Sequence, residues 1–435
     1  MKINSGAANP SDKSSSSIIA QGRRWLHPFA LFAFAACANF SIAGAHISLA
    51  LLSLCWLFAI MKSKPQNAPE PNEAALAFGL EWPIAAFTLI AVASTLLSDN
   101  LRETFPGLRY LLTMIGAYTV AHSLQWRPNW RQPLLWTFIG AATVAALFGL
   151  GKFALGFSSK VLSAQAITMT WGALSTMFMP VTLQIAMAAP NRRERWLAGV
   201  ALIPQIFALL YSFVRGAYVG FAAGALYLIY LYWSKHRQRG RRILVVVLII
   251  IAMIAAFSAD TARQRIATIF DLNVGSTQVR LVQWKYALQI IIDHPILGVG
   301  WRDMADIFRR YVPPDLDLPA NVKSDIFIGH FHNSYLMVAA CYGVTGLLAY
   351  LWLLVAAWRA LGVAAKRAGA EEARVTVDAV RAAMLGFLAA SFFDTTFGDH
   401  EVVTMFWFIV GMGLGQSRSI TRSNSLEPVH IKMNS

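Results

Sequence analysis

Apolar runs close to the ~20 residues that carry an α-helix across a bilayer recur along the chain, separated by short polar connections. Taken in order they predict twelve spans, at 27–43, 46–61, 77–97, 107–124, 134–151, 165–189, 196–213, 217–233, 243–258, 334–358, 380–396 and 401–416. The expected fold is all-α: a polytopic membrane helix bundle of about twelve transmembrane helices. A membrane β-barrel would instead show short segments of alternating polarity. No internal repeat, direct or inverted, and no broken helix at mid-membrane depth is visible. One interruption is long. Residues 260–333 form the only extended polar segment between apolar spans, and they predict a single long periplasmic loop.

That loop has its own periodicity. Over residues 277–293, Leu281, Trp284, Leu288 and Ile291 recur at spacings of three and four, which places them on one helical face. Arg280 and Gln283 fall on another. Ser276 or Thr277 can cap the start, and Pro295 with Gly298 ends the helix. Such a helix lies in the interface plane, its apolar face in lipid or on the bundle. Residues 311–325, with Pro313, Pro314 and Pro319, predict a lid or crossing loop.

Composition agrees with the pattern. The chain has 435 residues, 57% hydrophobic and 14% charged, with a mean hydropathy of +0.51. The net charge of +15 does not indicate a nucleic-acid partner, because the cations sit in the connections where membrane orientation requires them. With the N-terminus in the cytoplasm, the clusters at 192–195 and 235–242 fall inside. The short external turns then hold only Arg102, Lys152, Lys160 and Arg215. Both termini are therefore expected in the cytoplasm. The expected division is a disordered tail at 1–26, a bundle at 27–258, the periplasmic loop at 259–333, further spans at 334–417 and a tail at 418–435. Arg23 and Arg24 ahead of an apolar run resemble a cleavable signal, but the charge bias requires that run to stay as the first span. Cys37, Cys55 and Cys341 lie inside apolar runs and read as core fillers.

Several polar residues stand where chemistry is possible. Arg215 lies between two spans with almost no connection. It reads either as a snorkelling anchor or as an anion clamp whose planar fork suits phosphate, with Gly216 leaving the backbone approachable. Arg280 reads as solvated or drawn to lipid headgroups. Arg109 sits just inside the fourth span, where an ionisable group is expensive; Asp394 or Asp399 would be its structural partner. His332, at the mouth of the tenth span, can act as a base, with His330 as its rival, and Asn333 can cap that span or orient a hydroxyl. Asp394, Asp399, His400 and Glu401 form a cluster that could orient His332, pair with Arg215 or simply cap a helix. Asp315 and Asp317 read as a solvated loop. No nucleotide-binding loop, nucleophile elbow or metal-ligand spacing is present, so no cofactor is expected and the donor must arrive activated.

These pieces together resemble the O-antigen ligase family, within a superfamily that also holds O-antigen polymerases and protein O-oligosaccharyltransferases. The resemblance rests on Ser212-Phe-Val-Arg215-Gly-Ala, Arg280 with Trp284, residues 294–300 (His-Pro-Ile-Leu-Gly-Val-Gly), His332-Asn333-Ser-Tyr-Leu, and the long loop late in the chain. It covers the second half. It implies a multi-pass enzyme of the Gram-negative inner membrane, similar to GT-C glycosyltransferases, with a periplasmic site. The implied partners are undecaprenyl-diphosphate-linked O-antigen, lipid A-core oligosaccharide and membrane lipids. The implied roles are His332 as base and Arg215 and Arg280 on the donor diphosphate, with Arg109, His330, Asn333, Gln283, Asp394 and Asp399 as possible support. A polymerase, a protein-directed transferase and, from another class, a lipid-linked glycan transporter are the alternatives. A transporter should show inverted repeats and broken helices.

Overall fold

The computed structural model describes residues 25–62, 77–164, 167–233, 275–313, 315–316 and 325–417, with short helical pieces between 237 and 249. The expected N-terminal tail up to residue 24, most of the polar linker, most of the ninth span, the loop start at 259–274, most of the lid and the C-terminal tail lie outside the described residues.

Every regular element among the described residues is helical. In chain order they are α1 (Trp25–Cys37), α2 (Ile42–Lys62), α3 (Glu81–Leu96), α4 (Ile115–Trp126), α5 (Arg131–Ala154), α6 (Thr168–Ala188), α7 (Arg192–Leu210), α8 (Arg215–Trp233), α9 (Gly275–Asp293), α10 (Ala305–Tyr311), α11 (Ser334–Arg367), α12 (Glu371–Ala390) and α13 (His400–Leu414).

Five stretches among the described residues are long and apolar enough to cross a membrane: Ile42–Met61, Pro128–Ala154, Thr168–Ala188, Arg215–Trp233 and Ser334–Arg367. The expectation of twelve is thus shown only in part. The fourth expected span is not one helix. It breaks into one-turn pieces, Leu101–Thr104, Phe105–Leu108 and Arg109–Leu112, before α4 begins. Pro106 and Gly107 prevent a continuous ladder there. The eleventh, α12, carries Arg374, Asp378 and Arg381. These are tolerated because α12 packs within the bundle, against α6 and α8; the Arg381 guanidinium lies 4.0 Å from the Trp358 ring centre.

The bundle has an inside and a lipid side. α6 and α13 are almost wholly buried, and α12, α8 and α11 pack around them. The outer helices expose large apolar side chains, among them Leu54 and Phe58 on α2, Leu147 and Phe148 on α5, and Leu348 and Trp352 on α11. In water such faces would associate; in lipid they are matched.

α11 is broken. Gly343 has φ 72° and ψ −178° inside it, a backbone state that is costly for any residue with a Cβ. The groups that the break frees are taken by residues 295–300. Val299 donates its N–H to the Ala340 carbonyl (3.0 Å), Gly300 to the Cys341 carbonyl (2.8 Å), and Val344 donates to the Pro295 carbonyl (2.7 Å). The Thr345 hydroxyl donates to the Ile296 carbonyl, and the Ser94 hydroxyl also reaches the Cys341 carbonyl (2.9 Å). No break was visible in the sequence; the apolar run is continuous across it. Its buried polar groups are satisfied, which is the condition for irregular backbone inside a membrane protein.

Candidate active site

α9 forms as the periodicity predicts, but it has two apolar faces. Val279, Gln283, Tyr286, Ala287 and Ile290 are buried against α11 and α10, while Leu281, Leu288 and Ile292 are exposed. The predicted apolar face is therefore largely the outer one. Gln283, expected on the polar side, is fully buried, and its amide donates to the Ile326 carbonyl at 3.1 Å. Trp284 donates its indole N–H to the Phe331 carbonyl at 2.9 Å. Two successive residues of α9 thus hold the chain before the histidines, at Ile326, and between them, at Phe331, and the same helix carries Arg280.

Arg215 opens α8 after a tight turn. Ser212 closes the turn through its own backbone neighbours, donating to the Leu209 carbonyl (2.6 Å) and accepting from the Val214 N–H (3.3 Å). This gives Ser212 a structural position. Phe213 has φ 56°. Gly216 does not face open space: an added Cβ would lie 2.9 Å from Cβ of Phe393. Its missing side chain lets the first turn of α8 sit against the segment that presents Asp394, so close packing replaces the expected approach of a substrate to the backbone.

Asn333 caps α11. Its Oδ1 accepts from the N–H groups of Tyr335 (2.9 Å) and Leu336 (3.0 Å), and its amide donates to the Phe392 carbonyl (3.3 Å). Ser334 fixes the neighbouring turn by donating its N–H to the carbonyls of Ser391 (2.8 Å) and Asp394 (3.1 Å). The cap thereby ties residues 332–334 to residues 391–396. His332 Nδ1 lies 3.6 Å from Asp394 Oδ1, with 8% and 18% of the two side chains exposed. The backbone of His332 is left-handed, with φ 46°, a strained state for a histidine. The His330 ring sits 4.5 Å from that of His332, centre to centre. Its Nδ1 is buried without a hydrogen-bond partner.

Arg280 is within electrostatic reach of Asp394 and of Arg215. Burial pulls the Arg280 guanidinium below its ordinary value, Asp394 opposes the shift and the Arg215 charge adds to it. Its Nε is buried and makes no hydrogen bond. Burial also lowers His330, and His332 adds to that; Asp394 opposes it. Asp394 is therefore the common neighbour of Arg280, His330 and His332.

A cavity of about 620 Å³ opens beside the cluster. His330, Asp303, Asp394, Arg109, Tyr110, Asp399 and His400 are among its lining residues. Arg109 is exposed and lies 5.8 Å from the Tyr110 ring centre. Among the described residues it forms no ion pair with Asp394 or Asp399. Asp399 caps α13, accepting from Glu401 and Val402, and takes a hydrogen bond from the Thr170 hydroxyl. Burial raises its carboxyl despite these bonds. The acidic cluster therefore divides: Asp394 faces the histidine and Asp399 is a cap.

Sequence reading missed the contribution of residues 98–110. Arg302, almost wholly buried, pairs with Asp99 and with Glu103 (3.5 Å), and its hydrogen bond holds the Asp99 carboxyl below its ordinary value. Two acids in the expected external turn around Arg102 were the available signal.

Residues 198–351 match the O-antigen ligase family. The match spans about a third of the chain and contains Arg215, Arg280 and His332; Asp394 lies beyond it. It bears out the resemblance carried by the motifs, and it supports membership of the O-antigen ligase and polymerase superfamily of glycosyltransferase-like enzymes. That family implies lipid-linked glycan substrates and a membrane setting. No curated protein matches the chain.

Proposed function

We propose that the protein is an O-antigen ligase. It transfers a glycan from a polyprenyl diphosphate to a hydroxyl of lipid A-core, on the periplasmic face of the inner membrane. The observation that carries this reading is that Arg280, His330 and His332 share one neighbouring carboxylate, Asp394, which lines a cavity of about 620 Å³, while the Arg215 charge is felt at Arg280.

Each residue then has a chemical task. The acceptor hydroxyl is a weak nucleophile until a base takes its proton. With Nδ1 of His332 turned to Asp394, Nε2 is left to accept that proton, and the carboxylate stabilises the imidazolium that forms. The hydroxyl oxygen bonds to the anomeric carbon as the bond from that carbon to the diphosphate oxygen breaks. The electron pair leaves with the diphosphate. Arg215 and Arg280 meet the charge that grows there; fixed guanidiniums in a partly dry site need no reorganisation. One displacement inverts the anomeric carbon. Retention would require a carboxylate nucleophile against the sugar, and Asp394 is held beside His332 instead.

The Gly343 break is a feature that the transporter alternative asks for. However, its freed backbone groups bond to residues 295–300 and face no open site, which favours an enzyme. Lipopolysaccharide electrophoresis of a strain lacking the protein tests the reading. Core without long chains, while lipid-linked polymer accumulates, is the ligase outcome. Core capped by a single repeat unit would instead assign a polymerase.

A further inference from the structure

A second cavity, of about 400 Å³, lies along the C-terminal half of α11, far from the candidate site at its N-terminus. Trp352, Ala356, Arg359 and Arg367 supply one wall, and Phe78 and Leu414 the other. The volume falls in the range of small-ligand sites. Its character is apolar at one end and cationic at the other.

Two observations bear on what fits. First, Arg359 and Arg367 are exposed, no carboxylate among the lining residues faces them, and neither makes an ion pair with a described residue. The nearby Glu81 is engaged elsewhere: it accepts from the Phe78 N–H (2.8 Å) and the Tyr118 hydroxyl (3.0 Å). Arg367 in the last turn of α11 also complements the helix dipole, but Arg359, two turns earlier, has no such role. Second, the wall above the arginines runs into the apolar surface where Trp352 and Val355 are exposed. Eight residues separate the arginines, about 12 Å along a helix axis, a gap that two extended side chains can close onto one phosphate.

We infer that this groove holds one anionic phospholipid. The phosphate lies between Arg359 and Arg367, and the start of an acyl chain lies along Ala356 and Trp352. Basic pockets between helices at a membrane surface recognise anionic headgroups in this way. The inference does not rest on the ligase reading, because the groove lies at the opposite end of α11.

Native mass spectrometry of the full chain, released from detergent with phosphatidylglycerol or phosphatidylcholine present, tests it. The wild-type chain should keep one phosphatidylglycerol under activation that strips phosphatidylcholine. Arg359→Gln/Arg367→Gln should retain it about tenfold less, whereas Arg192→Gln/Arg193→Gln, with the same loss of charge elsewhere, should not differ from wild type. Arg359→Lys/Arg367→Lys, which keeps both charges, should restore much of the retention and so separates binding from folding. Equal retention of the two lipids, equal loss in the two glutamine variants, or undiminished retention in Arg359→Gln/Arg367→Gln would overturn the inference. So would a wild-type chain that retains no lipid, which would leave the groove to the chain's own residues 63–76.

Discussion

Residues 294–300 and residues 329–333 both reach α11, and they use it differently. The first segment offers backbone: its N–H and C=O groups complete a helix that Gly343 interrupts. The second offers side chains, with His330 and His332 held beside Asp394 by the Asn333 cap and by two bonds from α9. Both belong to the same set of family motifs. A motif therefore does not by itself mark chemistry; whether a position does chemistry is decided by what its polar atoms meet. In residues 295–300 the backbone groups at the break all meet each other. Near Asp394, His330 Nδ1, His332 Nδ1 and Arg280 Nε are buried without a hydrogen-bond partner.

This contrast can be broken by mutation. The largest effect is expected at His332. His332→Ala should lower kcat by roughly 10²–10⁴-fold in a reconstituted assay, with thermal stability unchanged; full ligation would remove the base from the scheme. Arg280→Gln should follow, with a loss of about 10²–10³-fold, and Arg280→Lys should recover only part of it because the bidentate fork is gone. Rates equal to wild type in Arg280→Gln would separate that arginine from the leaving group.

On the structural side, Gly343→Ala should destabilise the protein by on the order of 3 kcal/mol, from the left-handed backbone and from overlap with the Ile296 carbonyl. Residual folded protein should keep its kcat. A change in kcat with normal stability would show that residues 295–300 act in the reaction after all.

The smallest effect concerns pH. His330 is held below its ordinary value in the folded protein, chiefly by burial, so the unfolded chain binds its proton more readily. The stability contributed by the neutral ring is fully present above the unfolded value, near 6.5, and is lost as pH falls through the folded one. Unfolding of His330→Gln, followed against pH, should show a shallower loss over that window. An unchanged slope would place the histidine in a more solvated setting.

The sequence carried the all-helical membrane character and the family resemblance, because hydropathy reports directly on membrane burial and short motifs report on kinship. It located α9 and placed Arg215, Arg280 and His332 on the same side of the bundle. It could not tell which face of α9 turns inward, since Leu281 and Ile290 are equally apolar and only packing separates them. It overstated the continuity of the chain at Pro106–Gly107 and at Gly343, because an average over apolar residues registers neither a proline–glycine pair nor one glycine with positive φ. It also missed the pairing of Arg302 with Asp99, which lies about 200 positions away in the chain. α12 is expected as a span although it is not apolar enough by composition alone; a helix enclosed by other helices answers to its neighbours and need not match lipid.

The break at Gly343 bears on how the protein is made. Residues 295–300 leave the ribosome before α11 does, yet α11 is complete only when they have returned to it. Until then the Ala340 carbonyl lacks the partner it has in the folded protein, and an unsatisfied carbonyl in hydrocarbon costs several kcal/mol. Insertion of this helix is therefore coupled to docking of an earlier loop. Faults in that loop should surface during biogenesis, as chains cleared by proteases before they reach a mature membrane.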